Sequence, residues 1–88
     1  MNKEFAQSIA RGLHLPSETL STMPLCTLRG KESLTIENHR GIIAYCGETI
    51  RIAVDRGSIV VYGRDLIIAV MRKDCLTVQG IIRSVELE

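Results

Sequence analysis

Leu34-Thr35-Ile36-Glu37-Asn38-His39-Arg40-Gly41-Ile42-Ile43-Ala44-Tyr45 is echoed about 16 residues later by Ile50-Arg51-Ile52-Ala53-Val54-Asp55-Arg56-Gly57-Ser58-Ile59-Val60-Val61. A third copy opens with Leu66-Ile67-Ile68 and closes with Leu76-Thr77-Val78. The polar breaks keep register as His39-Arg40-Gly41, Asp55-Arg56-Gly57 and Arg72-Lys73-Asp74, and each unit ends near a glycine: Gly47, Gly63 and Gly80. Short apolar segments separated by turn residues, repeated at a fixed period, describe an all-β body of equivalent hairpins or coils. Nothing in the pattern describes an active site.

Working outward, strands are expected near 25–30, 32–37, 41–46, 49–54, 58–62, 65–71, 75–79 and 81–87. The alternation is clearest in Ile50, Ile52 and Val54, with Arg51 and Ala53 between them. Asp55-Arg56-Gly57-Ser58 and Tyr62-Gly63-Arg64-Asp65 carry tight-turn chemistry, with glycine expected to supply the positive φ. Tight turns favour a small antiparallel meander curled into a roll or sandwich. The regular period leaves a short β-solenoid, with about 16 residues per coil, as the alternative.

The first 24 residues read differently, as a helical arm preceding a β domain over 25–88, the two forming one structural domain. Phe5, Ile9 and Leu13 fall on one helical face, Gly12 lies near its end, and Leu15-Pro16 marks a boundary, because the residue before proline is pushed out of the α region. The strands also carry more apolar residues than one face needs. Ile42, Ala44, Val60, Tyr62, Ile67, Ala69 and Met71 form a second apolar set, as in strands covered on both sides. Either the arm covers this set, or part of it is a surface for self-association or a partner. The candidate interaction residues are therefore Ile42, Val60, Tyr62, Ile67 and Met71, together with the polar turn Glu37, Asn38, His39, Arg40 and Gly41.

Composition narrows the function classes. The 88 residues carry a net charge of +1 with dispersed Lys and Arg, and aromatic residues make up 3%. Neither a basic stripe nor a base-stacking platform is present, so no nucleic-acid partner is expected. The amino terminus lacks the apolar core of a secretory signal, and the longest apolar run, Leu66 to Met71, is far short of a membrane span. A cytoplasmic protein is expected. Cys26, Cys46 and Cys75 are too widely spaced for a zinc motif and too few for a disulfide framework.

Catalysis needs a nucleophile or carboxylate pair with an orienting base, and no such constellation is visible. His14 fits a helix end, and His39 occupies a turn position filled in the other repeats by Asp55 and Met71. Phosphate-loop and dinucleotide fingerprints are missing. The expectation is a non-enzyme without cofactor, metal or small-molecule substrate. Arg40, Arg56 and Arg72 recur with the period, either as solvated turn charges that discourage edge pairing or as an anion-binding edge.

Leu34-Thr35-Ile36-Glu37-Asn38-His39-Arg40-Gly41-Ile42-Ile43, Gly63-Arg64-Asp65-Leu66-Ile67-Ile68 and the closing Gly80-Ile81-Ile82-Arg83-Ser84-Val85-Glu86 resemble the YabP/YqfC family of bacterial sporulation proteins. Leu13-His14-Leu15-Pro16 with Met23-Pro24 is similar to its YqfC branch. Cys46 and the turn Met71-Arg72-Lys73-Asp74 depart from the pattern, which puts turn geometry in doubt. The resemblance implies a protein of endospore-forming Firmicutes, made in the mother-cell cytoplasm. It would act through protein contacts or self-assembly, at the membrane through a membrane-anchored, YqfD-like partner. The family brings no catalytic residues to carry over.

Overall fold

The computed structural model describes residues 22–88. Six strands follow in chain order: β1 (Leu25–Arg29), β2 (Ser33–Glu37), β3 (Gly41–Tyr45), β4 (Thr49–Val54), β5 (Gly57–Met71) and β6 (Cys75–Leu87). They form one antiparallel sheet in the order β1-β2-β6-β5-β4-β3. The all-β class expected from the repeat is therefore what the chain adopts. Because every pairing is antiparallel, the solenoid alternative is excluded: coils stack in parallel, whereas these strands are joined mainly by hairpins. The expected helical arm lies outside the described residues, apart from Thr22-Met23-Pro24.

Two expected turns are corrected. Tyr62-Gly63-Arg64-Asp65 lies inside the 15-residue β5, and Gly80 lies inside the 13-residue β6. The two long strands pair with each other along their whole length, with register shifts at Tyr62/Gly63, Arg64/Ile67 and Ile68/Val70. Such irregularities bend a strand without ending it. Gly80 has φ +140, and a Cβ there would lie 2.6 Å from the Asp65 carbonyl oxygen. A Cβ on Gly63 would collide with the Ile81 carbonyl. Both glycines thus permit close backbone approach at a fold in the long hairpin, where the sequence suggested chain reversals.

The fold is tight enough to return β5 on itself. Fifteen extended residues would span about 50 Å, yet the longest extent of the molecule is 41 Å. Beyond one end of β5, the Asp74 carbonyl accepts from Asn38 N at 2.7 Å, while near the other the Ala53 carbonyl accepts from Arg40 N at 2.7 Å. A three-residue segment therefore touches both ends. The opposite breaks of the repeat gather at the bend: Leu66 N donates to Gly47 O (2.8 Å), Gly80 N to Glu32 O (3.1 Å) and Ile82 N to Lys31 O (2.8 Å). The 16-residue period is thus the length of one excursion between the two ends of a folded sheet.

Folding brings the apolar faces of the two halves into one core. Leu34, Ile36, Leu76 and Val78 come from one half, and Ile50, Ile52, Ile59 and Val61 from the other; Leu66 and Ile82 join them from the bend. Leu34 stands opposite Val78, and Ile50 opposite Val61, so the core is built from cross-strand apolar pairs. On the far face Arg51 reaches across β5 to Ser58 Oγ (3.3 Å) and pairs with the Glu88 carboxylate, whose hydrogen bond and charge raise the arginine pKa. At the β4–β5 turn the positive φ belongs to Arg56 (67°) and not, as expected, to Gly57. Gly57 is needed because a Cβ would strike the Glu88 carbonyl, which accepts from Ser58 N.

Candidate functional site

The segment from Glu37 to Gly41 does not close a hairpin. It carries the chain from β2 across to β3, on the far side of the strand order. Asn38 adopts a left-handed φ of 65°, a conformation asparagine tolerates better than most residues, and its Nδ2 donates to Met23 O at 2.8 Å. His39 is buried, at 7% exposure. Its Nδ1 accepts from the Gly41 backbone N–H at 3.0 Å, and its Nε2 lies 2.8 Å from the Arg72 carbonyl oxygen. A backbone N–H can only donate and a carbonyl can only accept, so the ring is the tautomer protonated on Nε2. Both nitrogens are committed, which leaves His39 neither a lone pair for a metal nor a free base for proton transfer.

His39 is thus a clasp between the crossover and the β5–β6 turn, where Arg72 N bonds back to Cys75 O at 2.7 Å. The sequence offered it as a member of a polar turn. The signal that could have corrected this is its glycine two positions on, with φ 115°, which aims a backbone N–H at the ring. An open cleft beside the clasp is lined by Thr22, Asn38, His39, Arg40, Lys73 and Asp74. The breaks bearing Arg40, Arg56 and Arg72 all lie at this end, because Arg40 bonds to β4 and His39 to the β5–β6 turn. Asp55 and Asp74 sit in the same turns and offset part of the positive charge.

The proposed contact residues separate. Glu37 and Arg40 are exposed, Asn38 and Gly41 half-buried. Ile42 packs against the core from its edge strand, and Val60 is fully buried between Arg51 and Glu86 in its cross-strand row, so neither is a free surface. Tyr62 is half-buried. Ile67 and Met71 are about half exposed and share the second half of β5, which has β6 on one side and, among the described residues, no strand on the other. The single second apolar face expected from the sequence does not exist as such.

Exposed apolar side chains follow a different rule. Because β4 pairs only with the first half of β5, and β2 only with the first half of β6, the folded sheet has four open edges among the described residues: β1, β3, the second half of β5 and the second half of β6. Leu25 and Leu28 lie on β1, Ile43 and Tyr45 on β3, Ile67, Val70 and Met71 on β5, and Ile81 and Leu87 on β6. Among the described residues, every large exposed apolar side chain is on one of these edges, or just before one in the case of Met23. The sequence signal that could have found them is the residue supply of β1, Leu25-Cys26-Thr27-Leu28-Arg29, exposed throughout.

Comparison with known proteins supplies the remaining observation. A family model described as the YabP family matches residues 23–88, nearly the whole described region. The uncharacterized protein YqfC of Bacillus subtilis (strain 168) is 25% identical over 81 residues, covering 89% of this chain and 87% of that protein. No solved structure matches the chain.

Proposed function

The chain belongs to the YabP family, and on that premise we propose that it is a non-enzymatic sporulation protein acting through protein contacts at its open sheet edges. The observation that carries this reading is the confinement of exposed apolar side chains to those edges. An edge offers a row of unpaired N–H and C=O groups flanked by side chains, which is the geometry that strand addition uses. The one buried histidine among the described residues is fully engaged in structure, which removes the best candidate for acid–base work. The place of action in this reading is the mother cell, at the membrane through an anchored partner.

The test is genetic and direct. An endospore-forming host lacking its own copy is complemented with wild type or with Ile67→Glu/Met71→Glu. The double variant should accumulate normally and yield at least tenfold fewer heat-resistant spores. Wild-type spore counts would overturn the reading.

One observation favours a second reading, an anion-binding module. The turns bearing Arg40, Arg56 and Arg72 converge with Lys73 at one end beside an open cleft. Charge reversal at Arg40 and Arg56 separates the two. It abolishes anion binding if this reading holds, and leaves contacts made through apolar edges nearly unchanged.

A further inference from the structure

The four open edges are not equally guarded. A register shift at Ile42/Ala44 distorts β3, and another at Ile68/Val70 distorts the second half of β5. The open half of β6 carries Arg83 and Glu86. Bulges and charges of this kind disfavour backbone pairing and leave those edges to side-chain contacts. By contrast, β1 pairs with β2 in unbroken register from Leu25–Glu37 to Arg29–Ser33 and carries no charge before Arg29.

The ladder also fixes which β1 groups are free. Asn38 N bonds to Asp74 O, and Gly80 N to Glu32 O, so even-numbered residues of β2 face β6. Antiparallel bonding alternates. Ser33, Thr35 and Glu37 therefore face β1 through Arg29, Thr27 and Leu25, and the N–H and C=O groups of Cys26 and Leu28 point to the open edge.

We infer that β1 is a self-pairing edge, joining a second copy of this chain antiparallel about a two-fold axis at Thr27. This rests on the protein-contact reading above and names its partner. Three observations select the partner and the register. First, alternatives lose bonds: centring on Cys26 sets Leu28 against Pro24, which has no donor, and centring on Leu28 sets Cys26 against Gly30, where φ is 58° and the chain is already turning. Centring on Thr27 sets Cys26 against the second copy's Leu28, twice, for about four main-chain hydrogen bonds.

Second, the cross-strand rows continue through the axis. Val70, Thr77, Thr35 and Thr27 already form one row, with Thr35 and Thr77 hydroxyls 3.1 Å apart, and the axis joins it to its own copy. On the other face the row Leu76, Ile36 and Cys26 runs on into the second copy's Leu28, Leu34 and Val78. Desolvation raises the Cys26 pKa, and the thiol enters this row as a small apolar group. Third, charges complement each other. Glu37 and the second copy's Arg29 fall in one row on either side of Leu25, about 10 Å apart at the backbone and within reach of the two side chains; neither has an ion pair among the described residues.

The experiment is light scattering of the full chain in reducing buffer over a concentration series, with Leu28→Pro, Leu28→Lys and a Thr27→Cys crosslink in a chain whose Cys26, Cys46 and Cys75 are serine. Proline at 28 removes an edge-facing N–H and spares the β2 ladder; lysine keeps the backbone and adds charge, so one variant informs if the other fails to fold. The expected result is a wild-type dimer whose Kd rises at least tenfold in both Leu28 variants. Oxidation should crosslink Thr27→Cys, since a non-hydrogen-bonded pair holds Cα atoms about 4.5 Å apart, and should not crosslink Val70→Cys in the same background. A monomer at every concentration, a dimer indifferent to both Leu28 variants, or no Thr27→Cys crosslink overturns the self-pairing. Any of these leaves the protein-contact reading standing, whereas normal spores from Ile67→Glu/Met71→Glu would count against that reading and leave the self-pairing of β1 untouched.

Discussion

Asn38-His39-Arg40-Gly41 and Val54-Asp55-Arg56-Gly57 hold the same place in successive repeats, yet they do different work. The second closes a two-residue hairpin, with Val54 opposite Gly57, and its left-handed residue is Arg56 at φ 67°. The first makes no hairpin: positive φ falls at Asn38 and again at Gly41, and its path is set by His39 bonds to Gly41 and Arg72. A shared Arg-Gly therefore does not determine a shared turn. What separates them is one side chain able to bond at both ends in the first break, with no counterpart in the second.

Removing that side chain should have the largest effect of any single change in the two breaks. His39→Ala leaves the Gly41 N–H and the Arg72 carbonyl without partners and opens a void, so unfolding free energy should fall by about 2–4 kcal/mol in denaturant titration. An unchanged midpoint would show that the crossover needs no clasp. Gly41→Ala comes next. Nothing lies within 4 Å of the added Cβ, so only the φ of 115° resists it; the expected loss is about 1–2 kcal/mol. Arg56→Gly has the opposite sign. It relieves a left-handed arginine in a hairpin that needs nothing else from it, raising stability by about 0.5–1 kcal/mol, readable as an increase in Tm.

Much of this fold was legible because β2 and β4 are short and written in apolar–polar alternation, and the expected limits of β2, β3 and β4 agree with the structure to within a residue. The breaks that the sequence suggests at Gly63 and Gly80 lie inside the long strands for a physical reason. Glycine in sequence marks both chain reversal and close approach, and only the backbone across the hairpin, Ile81 against Gly63 and Asp65 against Gly80, decides which it is. The same limit applies to the candidate surface. Ile67 and Met71 are open while Val60 is covered, although all three read alike on their strands. Exposure here depends on which strand halves lack a neighbour after folding, a property of pairing between segments some forty residues apart, such as Thr35 with Thr77.

Long-range ¹H–¹⁵N spectroscopy of the imidazole reads whether both ends of β5 converge on the His39 crossover. The account predicts a ring protonated on Nε2, with that proton protected from exchange and close to the Arg72 backbone, and with Nδ1 bare toward the Gly41 amide. A proton on Nδ1, or a ring in rapid exchange with solvent and without contact to Arg72, would contradict it.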